Sequence, residues 1–137
     1  VRFVDTNVLL YAISRDRGER DKATRANEIL AGRDVALSVQ VLQEFYVQAT
    51  RTGRADALRP AQAAALVESF VRFPVATVTP DVMRAAFATH TRFGISYWDA
   101  TILEAARSLG CAVVLSEDLS DGQDYGGVRV ENPFAGL

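Results

Sequence analysis

Val1-Arg2-Phe3-Val4-Asp5-Thr6-Asn7-Val8-Leu9-Leu10-Tyr11 is the stretch whose reading decides the fold. Val1, Phe3 and Val4 are strand formers. Asp5-Thr6-Asn7 interrupts the apolar run with three short polar side chains, and Val8 to Ala12 resumes it as a helix. The expectation is a buried strand ending in an aspartate, then a tight polar turn into a helix. In an open α/β sheet, ligands gather at the carboxyl ends of the strands. Asp5 stands at such an end, and the reading of the rest of the chain turns on which other carboxylates meet it there.

Working outward, a mixed-charge segment from Arg15 to Lys22 leads into a helix that runs to about Leu30, with Ala23, Ala26, Ile29 and Leu30 as its apolar stripe and Gly32 as its stop. Val35-Ala36-Leu37 reads as a second strand. Ser38 caps the helix that follows, to about Arg51. A helix over Ala61 to Val71 comes next, then a third strand over Val75 to Val78. Thr79 and Pro80 open a helix to about Thr91, and Gly94 ends it. Ser96-Tyr97-Trp98-Asp99 opens the last long helix, to about Leu109. Cys111 to Leu115 is the clearest strand, and Val128 to Val130 reads as an edge strand. Strands alternating with helices imply a mostly parallel sheet covered on both faces.

At 137 residues and 49% hydrophobic, the chain has the size and apolar content of one domain. No run approaches the roughly 18 apolar residues of a membrane helix. Cys111 is the single cysteine and His90 the single histidine, so an internal disulfide, a three-His zinc site and a two-His ribonuclease mechanism cannot be built. No secretory signal is read, which makes the cytoplasm the expected compartment. Of fifteen basic residues, only Lys22 is a lysine. Arginine forks hold phosphates bidentately, although a bias toward Arg codons accounts for the ratio equally well.

Four carboxylates are candidates for one site. Asp5 and Asp118 end strands that share a sheet edge, and Asp99 opens a helix whose preceding turn can lie over that edge. Glu44 lies at the border of a helical core stripe formed by Val41, Leu42, Phe45, Tyr46 and Ala49, near Gln40 and Gln48. Like charges within about 4–6 Å raise at least one pKa. A divalent cation with hard-oxygen preference, Mg2+ or Mn2+, relieves that cost and lets a water act as nucleophile on a phosphate. Each residue alone also has a plain structural reading. Asp5-Thr6-Asn7 suits a helix-capping turn, Ser96-x-x-Asp99 a capping box, Glu44 a solvated helix position, and Asp118 an ordinary loop acid.

Taken together, Phe3 to Tyr11, Ser38 to Phe45, Ser96-Tyr97-Trp98-Asp99-Ala100, and Leu115 to Gly122 with the ending Tyr125 to Phe134 resemble the PIN-domain ribonucleases, in particular the VapC toxins of type II toxin–antitoxin modules. The resemblance spans nearly the whole chain. It implies a three-layer α/β/α PIN-like domain over residues 1–137, and an endoribonuclease that uses carboxylate-bound Mg2+ or Mn2+. Asp5, Glu44, Asp99 and Asp118 would be the metal acids. Asn7, Ser116 and Asp121 would orient carboxylates or water from behind, and Glu117 competes with Asp118 and Asp121 for the fourth place. It further implies RNA as substrate, a VapB-type antitoxin, a homodimer and no membrane. The alternative is a PIN-like RNA-binding or interaction module without catalysis. An aspartyl-phosphate phosphatase is disfavoured because Asn7 stands where a second Asp is needed, and a phosphorylation receiver lacks its lysine after a late strand.

Overall fold

The structure, a computed structural model, describes residues 1–137. Its strands are β1 (Arg2–Val4), β2 (Val35–Ser38), β3 (Val75–Ala76), β4 (Val113–Leu115), β5 (Asp124–Tyr125) and β6 (Val128–Glu131). Its helices are α1 (Thr6–Ala12), α2 (Arg20–Leu30), α3 (Val39–Ala49), α4 (Pro60–Phe70), α5 (Pro80–Phe93) and α6 (Tyr97–Ser108). The sheet order is β3-β2-β1-β4-β6-β5. Every pair is parallel except β5 with β6. The chain steps outward from β1 to β2 and β3, then returns to lay β4 on the other side of β1. The crevice between β1 and β4 is therefore the topological switch point, where open α/β sheets bind ligands.

The three central strands are apolar because they are covered on both faces. Phe3, Val4, Val35, Ala36, Leu37 and Val114 are fully buried. Helix α1 packs against α2 and α3, α4 against α3, and α5 against α6, which itself covers β2, β4 and β6. The result is a three-layer α/β/α arrangement. No helix is long and apolar enough to cross a membrane.

Four local expectations are corrected. Helix α1 begins at Thr6 rather than Val8, because Asp5 caps it and no further residue is needed for the turn. Strand β3 stops at Ala76, where Thr77, Val78 and Thr79 lead out to the Thr79 cap of α5. Strand β6 is not the edge. Gly126 and Gly127, both at positive φ, close a two-residue hairpin that adds β5 outside it. Arg107 locks this hairpin by donating to the carbonyls of Tyr125 (2.7 Å) and Gly126 (2.6 Å), while its Nε holds the buried Glu104 carboxylate at 2.9 Å. Tyr46, assigned to the core stripe of α3, is an exposed side chain, whereas Phe45, Phe70 and Phe73 are buried. Cys111 is a buried free thiol, as its apolar flanks suggest.

Candidate functional site

Parallel register brings the first two acids together. Val4 of β1 faces Leu115 of β4, and the Asp5 amide continues the ladder by donating to the Leu115 carbonyl at 3.0 Å. Asp5 and Ser116 thus leave the sheet side by side. The Asp5 carboxylate is 6% exposed. Its Oδ1 accepts the Thr6 amide at 2.7 Å, which is the helix cap, and its Oδ2 accepts the Ser116 hydroxyl at 2.8 Å. The capping reading of Asp5 is therefore correct and does not compete with the site reading, since one carboxylate does both.

Ser116 also accepts the Asp118 amide at 3.1 Å. Asn7, in the first turn of α1, spans the same gap. Its Nδ2 donates to Asp118 Oδ2 at 3.2 Å, and its Oδ1 accepts the Glu117 amide at 3.3 Å. The strand-end turn after β4 is fixed to the strand-end turn after β1 through these two polar side chains.

Glu44 arrives from α3, whose start is set by Ser38 at the end of β2, its hydroxyl accepting the Val41 amide. Glu44 Oε2 accepts the Thr6 hydroxyl at 2.7 Å and Oε1 accepts Gln40 Nε2 at 3.0 Å. Gln40 in turn accepts the Thr101 hydroxyl at 2.6 Å and reaches the Trp98 carbonyl at 3.4 Å. These bonds tie α3 to the first turn of α6, where the Asp99 amide donates to Ser96 at 3.0 Å. The Asp99 carboxylate is half-buried and makes no hydrogen bond or ion pair. Thr6 and Gln40 are the two positions to which the sequence assigns no role. The spacing of Gln40 four residues before Glu44 on one helical face is the signal that marks the second.

The electrostatics follow from burial. Desolvation pushes the Asp5 pKa up to about 6, against the Ser116 and Thr6 hydrogen bonds that favour its charged form, and the charges of Asp118 and Glu44 raise it further. No Lys or Arg lies within ion-pair distance of Asp5, Glu44, Asp99 or Asp118. Glu117 differs. It pairs with Lys22 at 2.6 Å and accepts the Tyr11 hydroxyl at 2.5 Å. Burial raises its pKa, but the bonds from Lys22 and Tyr11 outweigh that and hold the carboxyl below its usual range. Asp121 is also engaged elsewhere, accepting the Asn132 amide at 2.9 Å, and no bond joins it to the cluster.

Hard anionic oxygens without cationic partners fit a divalent ion of the Mg2+ class. No three His, Cys, Asp or Glu side chains are grouped closely enough to hold a metal ion among them. A Mg2+-class ion at this crevice would therefore be held by one or two carboxylates and keep most of its waters. The arrangement gathers the negative charges of Asp5, Glu44 and Asp118 at one strand-end crevice.

Comparison with solved structures supports the same architecture. A toxin–antitoxin complex from Klebsiella pneumoniae is 19% identical with a TM-score of 0.70, the match covering 98% of each chain. Mycobacterium tuberculosis VapC20, described as a sarcin–ricin-loop-cleaving toxin, is 24% identical with a TM-score of 0.67 over 86% of this chain and 90% of its own. A DNA-bound VapBC from Salmonella typhimurium is 21% identical with a TM-score of 0.64 over 96% and 97% of the two chains. At these identities the likeness establishes the fold. No protein of curated function matches the chain by sequence. The profile described as the PIN domain matches residues 2–120, and with the parallel sheet and its strand-end acids this chain belongs to the PIN-domain family.

Proposed function

We propose that this protein is a toxin-type endoribonuclease, a single PIN domain over residues 1–137, that hydrolyses RNA phosphodiester bonds with Mg2+ or Mn2+. The observation that carries the reading is the convergence of carboxylates from separate chain segments, after β1, after β4 and on α3, with no lysine or arginine to neutralise them. Of Asp5, Glu44, Asp99 and Asp118, one or two would hold the cation directly and the others through its waters. When bound, it supplies Lewis-acid stabilisation to the phosphate and a water acidic enough to react at neutral pH.

The chain's own groups do the rest. Ser116 and the Thr6 amide fix both oxygens of Asp5, so its carboxylate cannot rotate away. Asn7 holds Asp118 over the same crevice, and Thr6 with Gln40 holds Glu44. Lys22 and Tyr11 keep Glu117 occupied, which leaves Asp118 as the fourth acid. Hydrolysis by water rather than by the RNA 2′-hydroxyl gives a 3′-hydroxyl and a 5′-phosphate. The neighbours solved as a toxin–antitoxin complex and as VapBC support an antitoxin of the VapB type as the inhibitor. We place the protein in the cytoplasm as a homodimer.

End-group analysis of the RNA fragments tests the reaction. We expect 5′-phosphate ends that accept a ligated adaptor, and loss of all fragments in Asp5→Asn and Asp99→Asn proteins that still fold. A 2′,3′-cyclic phosphate end, or full activity in either variant, would contradict the proposal.

A further inference from the structure

A polar trough runs away from the acid cluster across the face formed by α1, α2 and the turn between them. It begins in a recess of about 240 Å³ that includes Asn7, Asp118, Glu19 and Arg54 in its wall. Glu19 and Arg54 also line the next recess, of about 540 Å³. That one shares Ser14, Arg15 and Asp16 with a third, of about 650 Å³, into which Arg17 and Arg20 also face. Shared wall residues set the three recesses side by side in a row whose near end lies at the Asp118 side of the site.

Three acids of this path are already engaged within the protein, while Glu28 on the wall of the third recess has only the Arg25 guanidinium at 4.0 Å. Asp16 accepts the Gly18 amide at 2.8 Å, Glu19 accepts the Ser14 hydroxyl at 2.6 Å, and Asp56 takes Arg54 at 2.7 Å and the Arg15 amide at 3.3 Å. The guanidinium groups of Arg15, Arg17 and Arg20 are exposed and have no ion pair or hydrogen bond. The trough therefore offers free donors in a fork geometry suited to phosphate oxygens, with Asp16, Glu19 and Asp56 bound internally. Its walls are mainly polar. This contrasts with the separate α3–α4 groove of Val39, Leu42, Tyr46 and Val67, whose chemistry suits a protein surface.

We infer that Arg15, Arg17 and Arg20 form a phosphate track that binds the backbone of the RNA strand on one side of the scissile bond. This rests on the nuclease reading for the strand's destination, although the binding it describes needs no catalysis.

The test uses a fluorescently labelled oligouridylate in chelator, so that nothing is cut, and follows anisotropy over a range of salt. The full-length Arg15→Ala/Arg17→Ala/Arg20→Ala protein is compared with the wild type and with Arg33→Ala, which removes an unpaired arginine at the amino end of β2, the opposite sheet edge. The triple variant should melt with the wild type and bind at least about tenfold more weakly at low salt. Its slope of log K against log salt should fall by about 2, as for three lost single-strand phosphate contacts. Arg33→Ala should change neither. An unchanged slope in the triple variant would overturn the track. So would loss of binding to an acidic peptide while RNA binding is retained, which would assign the trough to a protein partner. Normal binding by the wild type, with neither cleavage of total cellular RNA nor stabilisation by Mg2+ or Mn2+, would keep the track and refute the nuclease.

Discussion

Asp5 is buried with an unfavourable charge, and that makes a prediction in metal-free buffer. Its folded pKa of about 6 lies above the ordinary aspartate value of 3.8. The folded protein therefore binds more protons than the unfolded chain between those values, and stability attributable to Asp5 falls as pH rises through that window. A shift of this size corresponds to about 3 kcal/mol. Asp5→Asn removes the titration while its amide still meets Thr6 and Ser116. Denaturant melts should show the variant gaining on the wild type by up to about 3 kcal/mol between pH 4 and pH 7, with chelator present. A constant difference across that range would show that Asp5 carries no burial penalty. Because a cation requires the charged form, metal-dependent cleavage should decline as pH falls below about 6. At the same scale, Glu117→Gln should leave cleavage intact, whereas Asp118→Asn should reduce it. The Lys22–Glu117 pair is part-exposed, and its loss in Lys22→Ala should cost about 1 kcal/mol in urea melts. The sequence pattern singles out Asp5, Glu44, Asp99 and Asp118, and the structure brings Asp5, Glu44 and Asp118 within charge range of one another. The choice between Glu117 and Asp118 was not legible in that pattern, because it depends on Lys22, nearly a hundred residues away along the chain.

At the level of elements, caps and breakers made most helices readable: Ser38, Thr79 and Ser96 cap the helices they were expected to cap. The hairpin of β5 and β6 was missed because a two-residue strand carries too few side chains for an alternation signal, although Gly126-Gly127 has the composition of a tight hairpin turn. Gly126 sits at φ 67°, and an added Cβ would lie 3.3 Å from the Arg92 guanidinium. Gly126→Ala should therefore destabilise by about 1 kcal/mol or more. Arg107→Ala should cost about 2 kcal/mol, since it removes both carbonyl contacts and leaves the Glu104 carboxylate without its cation. Thermal or urea melts check both. Neither change touches the acid cluster, so residual folded protein should cleave RNA at the wild-type rate.

For the whole molecule, topology does the assembling. A parallel sheet that steps to one side of β1 and then returns to the other puts two strand ends, and their acids, at one crevice, while α3 and α6 close over it. This much followed from the alternation of strands and helices. The position of Glu44 did not, since a border residue on a helical wheel has no fixed partner until α1 is packed beside it. A cation that binds the folded state alone should stabilise the protein by about 2.7 kcal/mol at a hundred times its dissociation constant. Asp99→Asn should reduce that gain. The most direct test of the central claim is cleavage of total cellular RNA by purified, antitoxin-free protein with Mg2+, with Mn2+ and with chelator, alongside Asp99→Asn. Discrete fragments that require both metal and Asp99 are the predicted result. Fragments that persist in chelator or in the variant, or folded protein that neither cuts nor gains stability with either metal, would contradict it.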